Sequence, residues 1–211
     1  MGKNFIGLDL GQKGDYTAIA IVEQWTEGLG GVDPATFEPR TKTWLDVRHL
    51  ERLPLGTPYP DVVERVCDVV RSPQLKGNCA LVVDATGVGV PVVDLLRRSS
   101  LGCTMLAVTI TGGDRQASGP DGWRVPKRDL VVGLQLVLER GELRMPQGLA
   151  MARTLVKELM SMQVKISDTG HDAYGAFRSG EHDDLVLALG LACWARRFGW
   201  IEEPTGRLPI G

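Results

Sequence analysis

Phe5-Ile6-Gly7-Leu8-Asp9-Leu10-Gly11, continuing through Asp15 into Tyr16-Thr17-Ala18-Ile19-Ala20-Ile21-Val22, is the stretch whose reading decides the fold. It reads as a strand, a tight turn and a second strand. Strand side chains alternate, so Phe5, Gly7 and Asp9 share one face while Ile6, Leu8 and Leu10 share the other. A carboxylate on a buried strand is costly unless a cation or hydrogen-bond donors meet it. Asp9 therefore predicts a partner elsewhere in the chain.

Working outward, residues 26–40 are rich in Gly, Pro and polar side chains and predict a long loop. Residues 41–50 alternate as a third strand, with Trp44, Asp46 and Arg48 on one side. Three strands in succession without a helix predict an antiparallel meander. Val62, Val63, Val66, Val69 and Val70 then fall at helical spacing over residues 60–71, with Pro60 in the first turn. Residues 79–83 are a continuous apolar run closed by Asp84, the pattern of a parallel strand buried on both faces. Ala85-Thr86-Gly87-Val88-Gly89 turns the chain into a helix over 90–98, and residues 103–110 make a fifth strand.

Residues 111–123 carry four glycines and a proline and predict a mobile loop at the rim of a site. Helices follow over 126–140 and 149–162, with a short extended piece at 142–145 between them. Residues 163–167 and 173–177 flank Asp168-Thr169-Gly170 as a hairpin. The last helix begins at Asp183 or Asp184 and runs to about Arg197. It is apolar nearly all round, so it predicts a buried element. The expected organisation is one domain over 1–198 and a Pro- and Gly-rich tail over 199–211.

The chain has 211 residues, a net charge of −2, 43% hydrophobic and 24% charged residues. That is the balance of an ordinary soluble globular protein, and any nucleic-acid footprint must be local. Residues 111–165 hold an excess of three positive charges. Within them Arg124, Lys127 and Arg128 stand at the start of a helix, a natural place for phosphate contacts. Cys67, Cys79, Cys103 and Cys193 lie in apolar runs without CxxC spacing and read as reduced core residues. No signal peptide precedes the first strand, and the longest apolar run is too short to span a bilayer. The expectation is a soluble cytoplasmic protein.

Acids stand at special places: Asp9 in the first strand, Asp84 closing the fourth, Asp183 and Asp184 in the first turn of the last helix. Ligand sites gather beyond the carboxyl ends of parallel strands. Converging carboxylates repel and stay protonated without a cation, and a divalent ion reverses that logic. Oxygen ligands suit Mg²⁺ or Mn²⁺. Two such ions about 3.5–4 Å apart are common machinery for cutting phosphodiesters. Taken singly, Asp84 also fits a turn residue, and Asp183 and Asp184 fit helix caps. Asp9 is harder to dismiss, because capping does not explain a mid-strand carboxylate. Neighbouring helix positions differ by about 100 degrees, so Asp183 and Asp184 cannot face one point equally, and both stay candidates. Asp15 and His182 are candidates for an outer role around the ions; Asp15 also reads as a turn residue, and His182 as a surface histidine beside the helix cap.

Gly7-Leu8-Asp9-Leu10-Gly11 with Asp15-Tyr16-Thr17-Ala18, then Val83 to Gly89, Val125-Pro126-Lys127 and His182-Asp183-Asp184-Leu185, together resemble the nuclease domain of large terminase subunits of tailed bacteriophages. The resemblance spans roughly residues 5–197. It implies an α/β, ribonuclease H-like fold: a mixed five-stranded sheet with helices on both faces and a small β-hairpin insertion. It also implies a two-metal endonuclease acting on double-stranded DNA during genome packaging in the host cytoplasm. By match, Asp9 would bridge two Mg²⁺ or Mn²⁺ ions, Asp84 would bind one and Asp183 or Asp184 the other. Implied partners are an ATPase motor domain, the small terminase subunit and the portal; no membrane is implied. The chain carries no GxxxxGK[ST] phosphate loop, so it reads as either an excised domain or a stand-alone relative. Three other readings share these motifs: a RuvC-type Holliday-junction resolvase, an actin- or sugar-kinase-like ATP-binding protein, and a non-catalytic packaging docking module.

Overall fold

The computed structural model describes residues 2–11, 14–87, 89–166, 172–175 and 182–198, with only the backbone at 163–166, 172–175 and 198. The opening stretch forms β1 (Lys3–Asp9) and β2 (Ala18–Val32), which pair antiparallel with Asp9 opposite Ala18. β3 (Pro39–Arg52) continues the meander. After α1 (Tyr59–Val70), β4 (Cys79–Asp84) lies parallel to β1 on its other side. α2 (Gly89–Arg98) leads to β5 (Thr104–Thr111), parallel to β4.

The five anticipated strands form the centre of a wider sheet. β6 (Ala117–Gly119) and β7 (Gly122–Pro126) extend one side, and β8 (Leu143–Arg144) the other, giving eight strands in the order β6-β7-β5-β4-β1-β2-β3-β8. The added strands are two to five residues long, too short to carry an alternating pattern of their own. They exist because longer neighbours offer them backbone partners.

Two expected loops are corrected. The segment 26–40 is mostly strand: β2 and β3 run out as a ribbon, paired as far as Val32 and Pro39. Gly30 and Gly31, both at φ +73°, sit where the register shifts, between Gly28 and Val32. Glycine tolerates that conformation, so the residues read as loop-forming instead mark a bulge. Farther in, Trp25 stacks on its cross-strand partner Trp44 at 6.3 Å, and the Arg144 guanidinium lies over both rings at 4.9 and 4.6 Å. The segment 111–123 likewise includes a tight hairpin, whose second strand runs parallel to β5 with Val108 opposite Trp123. Trp123 meets Trp194 edge-on at 5.7 Å, which anchors the hairpin to the core.

α3 (Lys127–Glu139), α4 (Ala152–Ser161) and α5 (Asp184–Ala195) cover one face of the sheet together with Phe5, Ala18, Ala20, Val82 and Val108. α1 and α2 cover the other with Ile6, Leu8, Ile19, Leu81 and Val83. The alternation read in β1 is therefore a division between two cores. β9 (Gln163–Ile166) and β10 (Asp172–Gly175) pair antiparallel where the hairpin insertion was expected; its turn, Phe177 and the tail 199–211 lie outside the described residues. The four cysteines are free, with Cys67, Cys79 and Cys193 buried.

Candidate metal centre

Every residue of α5 is buried, and its seat on β1 depends on Gly7. A Cβ added at Gly7 would come within 1.9 Å of the Ala188 carbonyl oxygen. With no side chain there, the helix rests directly on the strand backbone. From that contact Asp9 lies two residues toward the strand end, and Asp184 lies one turn toward the helix start. Both therefore arrive at the same sheet edge. β4 delivers Asp84 to that edge beside Asp9, since Leu8 pairs with Val83 in parallel register.

The four sequence candidates are brought together. Asp9, Asp84 and Asp184 are 6%, 9% and 4% exposed. Burial first, then the charges of Asp84, Asp184 and Asp183, push the Asp9 carboxyl well above the ordinary carboxylate range. The Asp9 and Asp84 side chains lie close enough to perturb one another, so ionising both without a cation is costly. Asp84 is raised by burial and partly relieved by Thr86, whose backbone N–H and hydroxyl both donate to Oδ1 at 2.8 and 2.5 Å. The turn role and the cluster role of Asp84 thus coexist. Thr86 Oγ1 also accepts the Ile110 N–H at 2.8 Å, which ties the turn to β5.

Asp183 and Asp184 separate by environment. Asp183 is the residue before α5 and makes no side-chain capping bond. Its Oδ2 accepts from Lys127 Nζ at 2.7 Å. Lys127, read from sequence as a phosphate contact, is thereby placed at the acid cluster. Arg124 is exposed on β7, and Arg128 reaches Asp114 at 3.4 Å and Asp129 at 3.8 Å. Asp184 Oδ2 lies 3.2 Å from Arg52 Nη2 and 3.7 Å from His182 Nδ1. Burial raises its carboxyl to about 6, against the opposing pull of Arg52 and His182.

Asp15 and His182 come to the same place. His182 Nδ1 is 3.8 Å from Asp15 Oδ1, and candidate donor atoms of Asp15, His182 and Asp184 all lie within 4.8 Å of one another. His182 Nδ1 and Asp184 Oδ2 are buried without a hydrogen-bond partner. Buried polar atoms normally find one, and a divalent cation held between these two groups would supply it. The donor set, carboxylates with one imidazole, fits a hard divalent ion better than zinc.

Three further residues here were not singled out from sequence. Arg52, at the end of β3, bonds to Glu158 Oε1 at 2.5 Å and lies 4.6 Å over the Tyr16 ring. Tyr16 meets His182 edge-on at 5.1 Å. Glu158, on α4, is 4% exposed, and its Oε2 accepts the Val186 N–H at 3.0 Å. Burial lifts its carboxyl to about 7, opposed by that amide and by Arg52. One signal pointed to Glu158: it stands three residues after Leu155, on the stripe that α4 buries.

No protein-family model and no curated protein sequence matches the chain. Solved structures do. The large terminase nuclease from thermophilic phage G20c with bound magnesium is 24% identical, with a TM-score of 0.59 over 92% of this chain and 81% of that one. The nuclease domain of the large terminase subunit gp2 of bacterial virus Sf6, a mutant with manganese and β-thujaplicinol, is 15% identical, with a TM-score of 0.62 over 91% and 88%. The manganese-soaked human cytomegalovirus terminase nuclease domain is 13% identical, with a TM-score of 0.53 over 92% and 83%. The fold of this chain is therefore the ribonuclease H-like fold of large terminase nuclease domains.

Proposed function

We propose that residues 1–198 form the nuclease domain of a large terminase subunit, a metal-dependent endonuclease that cuts double-stranded DNA for packaging in the host cytoplasm. The observation that carries this reading is the meeting of Asp9, Asp84, Asp183 and Asp184 at one sheet edge, on a fold shared with nucleases that hold magnesium or manganese. Asp9, which feels all three other acids, would bridge two Mg²⁺ or Mn²⁺ ions. Asp84 would hold one and Asp184 the other, with Asp15 and His182 beside it. Ions bound there would supply an activated water and stabilise the leaving oxygen. Lys127 keeps Asp183 neutralised at the rim. Arg124 and Arg128, on the neighbouring hairpin and helix, would position the DNA backbone. An ATPase motor, the small terminase subunit and the portal are the partners this reading calls for.

The test is a plasmid assay with Mg²⁺ or Mn²⁺ in excess. The unmodified chain should nick or cut the plasmid, and a chelator should stop it. Asp9→Asn keeps the side chain's shape and removes its charge, so it should abolish cutting while leaving the fold intact by circular dichroism. An Asp9→Asn protein that cuts as well as the original would overturn the assignment. Saturable ATP binding without cutting would favour the kinase-like alternative.

A further inference from the structure

Resting on the nuclease reading, the geometry around Arg52 points to a positioning role for Glu158. We propose that Glu158 takes the Arg52 hydrogen bond and leaves Asp184 Oδ2 only an ion-pair contact, so that this carboxylate oxygen of the metal centre can still accept a cation. Arg52 Nη2 stands between two carboxylates. It lies 2.5 Å from Glu158 Oε1 with hydrogen-bond geometry. It lies 3.2 Å from Asp184 Oδ2, where the two form an ion pair but no hydrogen bond. Glu158 is itself fixed, because its other oxygen accepts the Val186 N–H in the first turn of α5.

Left with one acidic partner, a largely buried guanidinium would close on it with charge-assisted hydrogen bonds. Asp184 Oδ2 would then be capped by protein, and an incoming ion would have to displace the arginine. Glu158 prevents this by taking the hydrogen bond first. Asp184 is left buried, its Oδ2 in ion-pair contact with Arg52 and facing His182 but accepting no hydrogen bond. Arg52 lends positive charge to a crowded set of acids without blocking it.

The proposal makes a rescue prediction. Glu158→Gln keeps the Val186 contact with its one carbonyl oxygen and so turns its amide NH₂, a donor, toward Arg52, which releases the guanidinium onto Asp184. Mn²⁺ binding, followed by calorimetry and by the electron paramagnetic resonance signal of free Mn²⁺, should weaken by about tenfold or more at one ion. Adding Arg52→Gln to Glu158→Gln removes the competitor, and affinity should return to within about threefold of the unmodified chain. If Glu158→Gln does not fold, Arg52→Gln alone decides: Mn²⁺ should bind at least as tightly as to the unmodified chain. Unchanged affinity in Glu158→Gln, a double variant as weak as Glu158→Gln, or loss of binding in Arg52→Gln would each overturn the proposal and leave the nuclease reading standing. An unmodified chain that binds no Mn²⁺ would remove both.

Discussion

Asp183 and Asp184 are adjacent in sequence and differ in what they offer an ion. Asp183 already has the Lys127 ammonium at 2.7 Å, while Asp184 Oδ2 is buried without a hydrogen-bond partner. Asp184→Asn should weaken Mn²⁺ binding by about 100-fold, and Asp183→Asn by about tenfold, as measured by calorimetry. Equal losses would show that the two share the work. The same acids set a pH dependence. Asp184 is raised to about 6 and Glu158 to about 7, both chiefly by burial. A raised carboxyl favours folding while it stays protonated, and that contribution fades as pH climbs through the folded-state value. The metal-free protein should therefore lose thermal stability between about pH 4 and pH 7. Mn²⁺ should raise the melting temperature more at pH 8 than at pH 5. A metal-free protein that melts higher at pH 8 would contradict this. Sequence exposed the acids because a charge on a buried strand or strand end breaks the apolar pattern. It could not expose Arg52, because a strand-end arginine looks like any solvated one until Glu158 arrives from 106 residues away.

At the scale of the element, the seat of α5 on β1 is the decisive contact. Gly7→Ala would drive a methyl group into the Ala188 carbonyl, where backbone rather than a flexible side chain must yield. The expected cost is about 2–3 kcal/mol, seen as a melting temperature lower by about 5–10 °C, with Mn²⁺ affinity reduced because Asp9 and Asp184 no longer meet. Helices and central strands were readable because each has a long run with one period. The β2–β3 ribbon was not, because its glycines match a loop composition while its strength lies in cross-strand partners. Trp25 and Trp44 are 19 positions apart in the chain, and the arginine that covers them comes from β8. No local window contains all three.

At the scale of the molecule, two apolar cores share one sheet, and the candidate centre sits on the side that contains α5. That helix has twelve residues, all of them buried. It has no wet side on which to float free, so partial detachment would expose a wholly oily cylinder. Its backbone amides should be the slowest in the chain to trade hydrogen for deuterium, on the timescale of complete unfolding. Peptides from 186–195 that exchange early while β1 stays protected would refute this. Asp184 shares that fate: it should stay docked beside Asp9 and Asp84 until the whole cylinder lifts from the sheet.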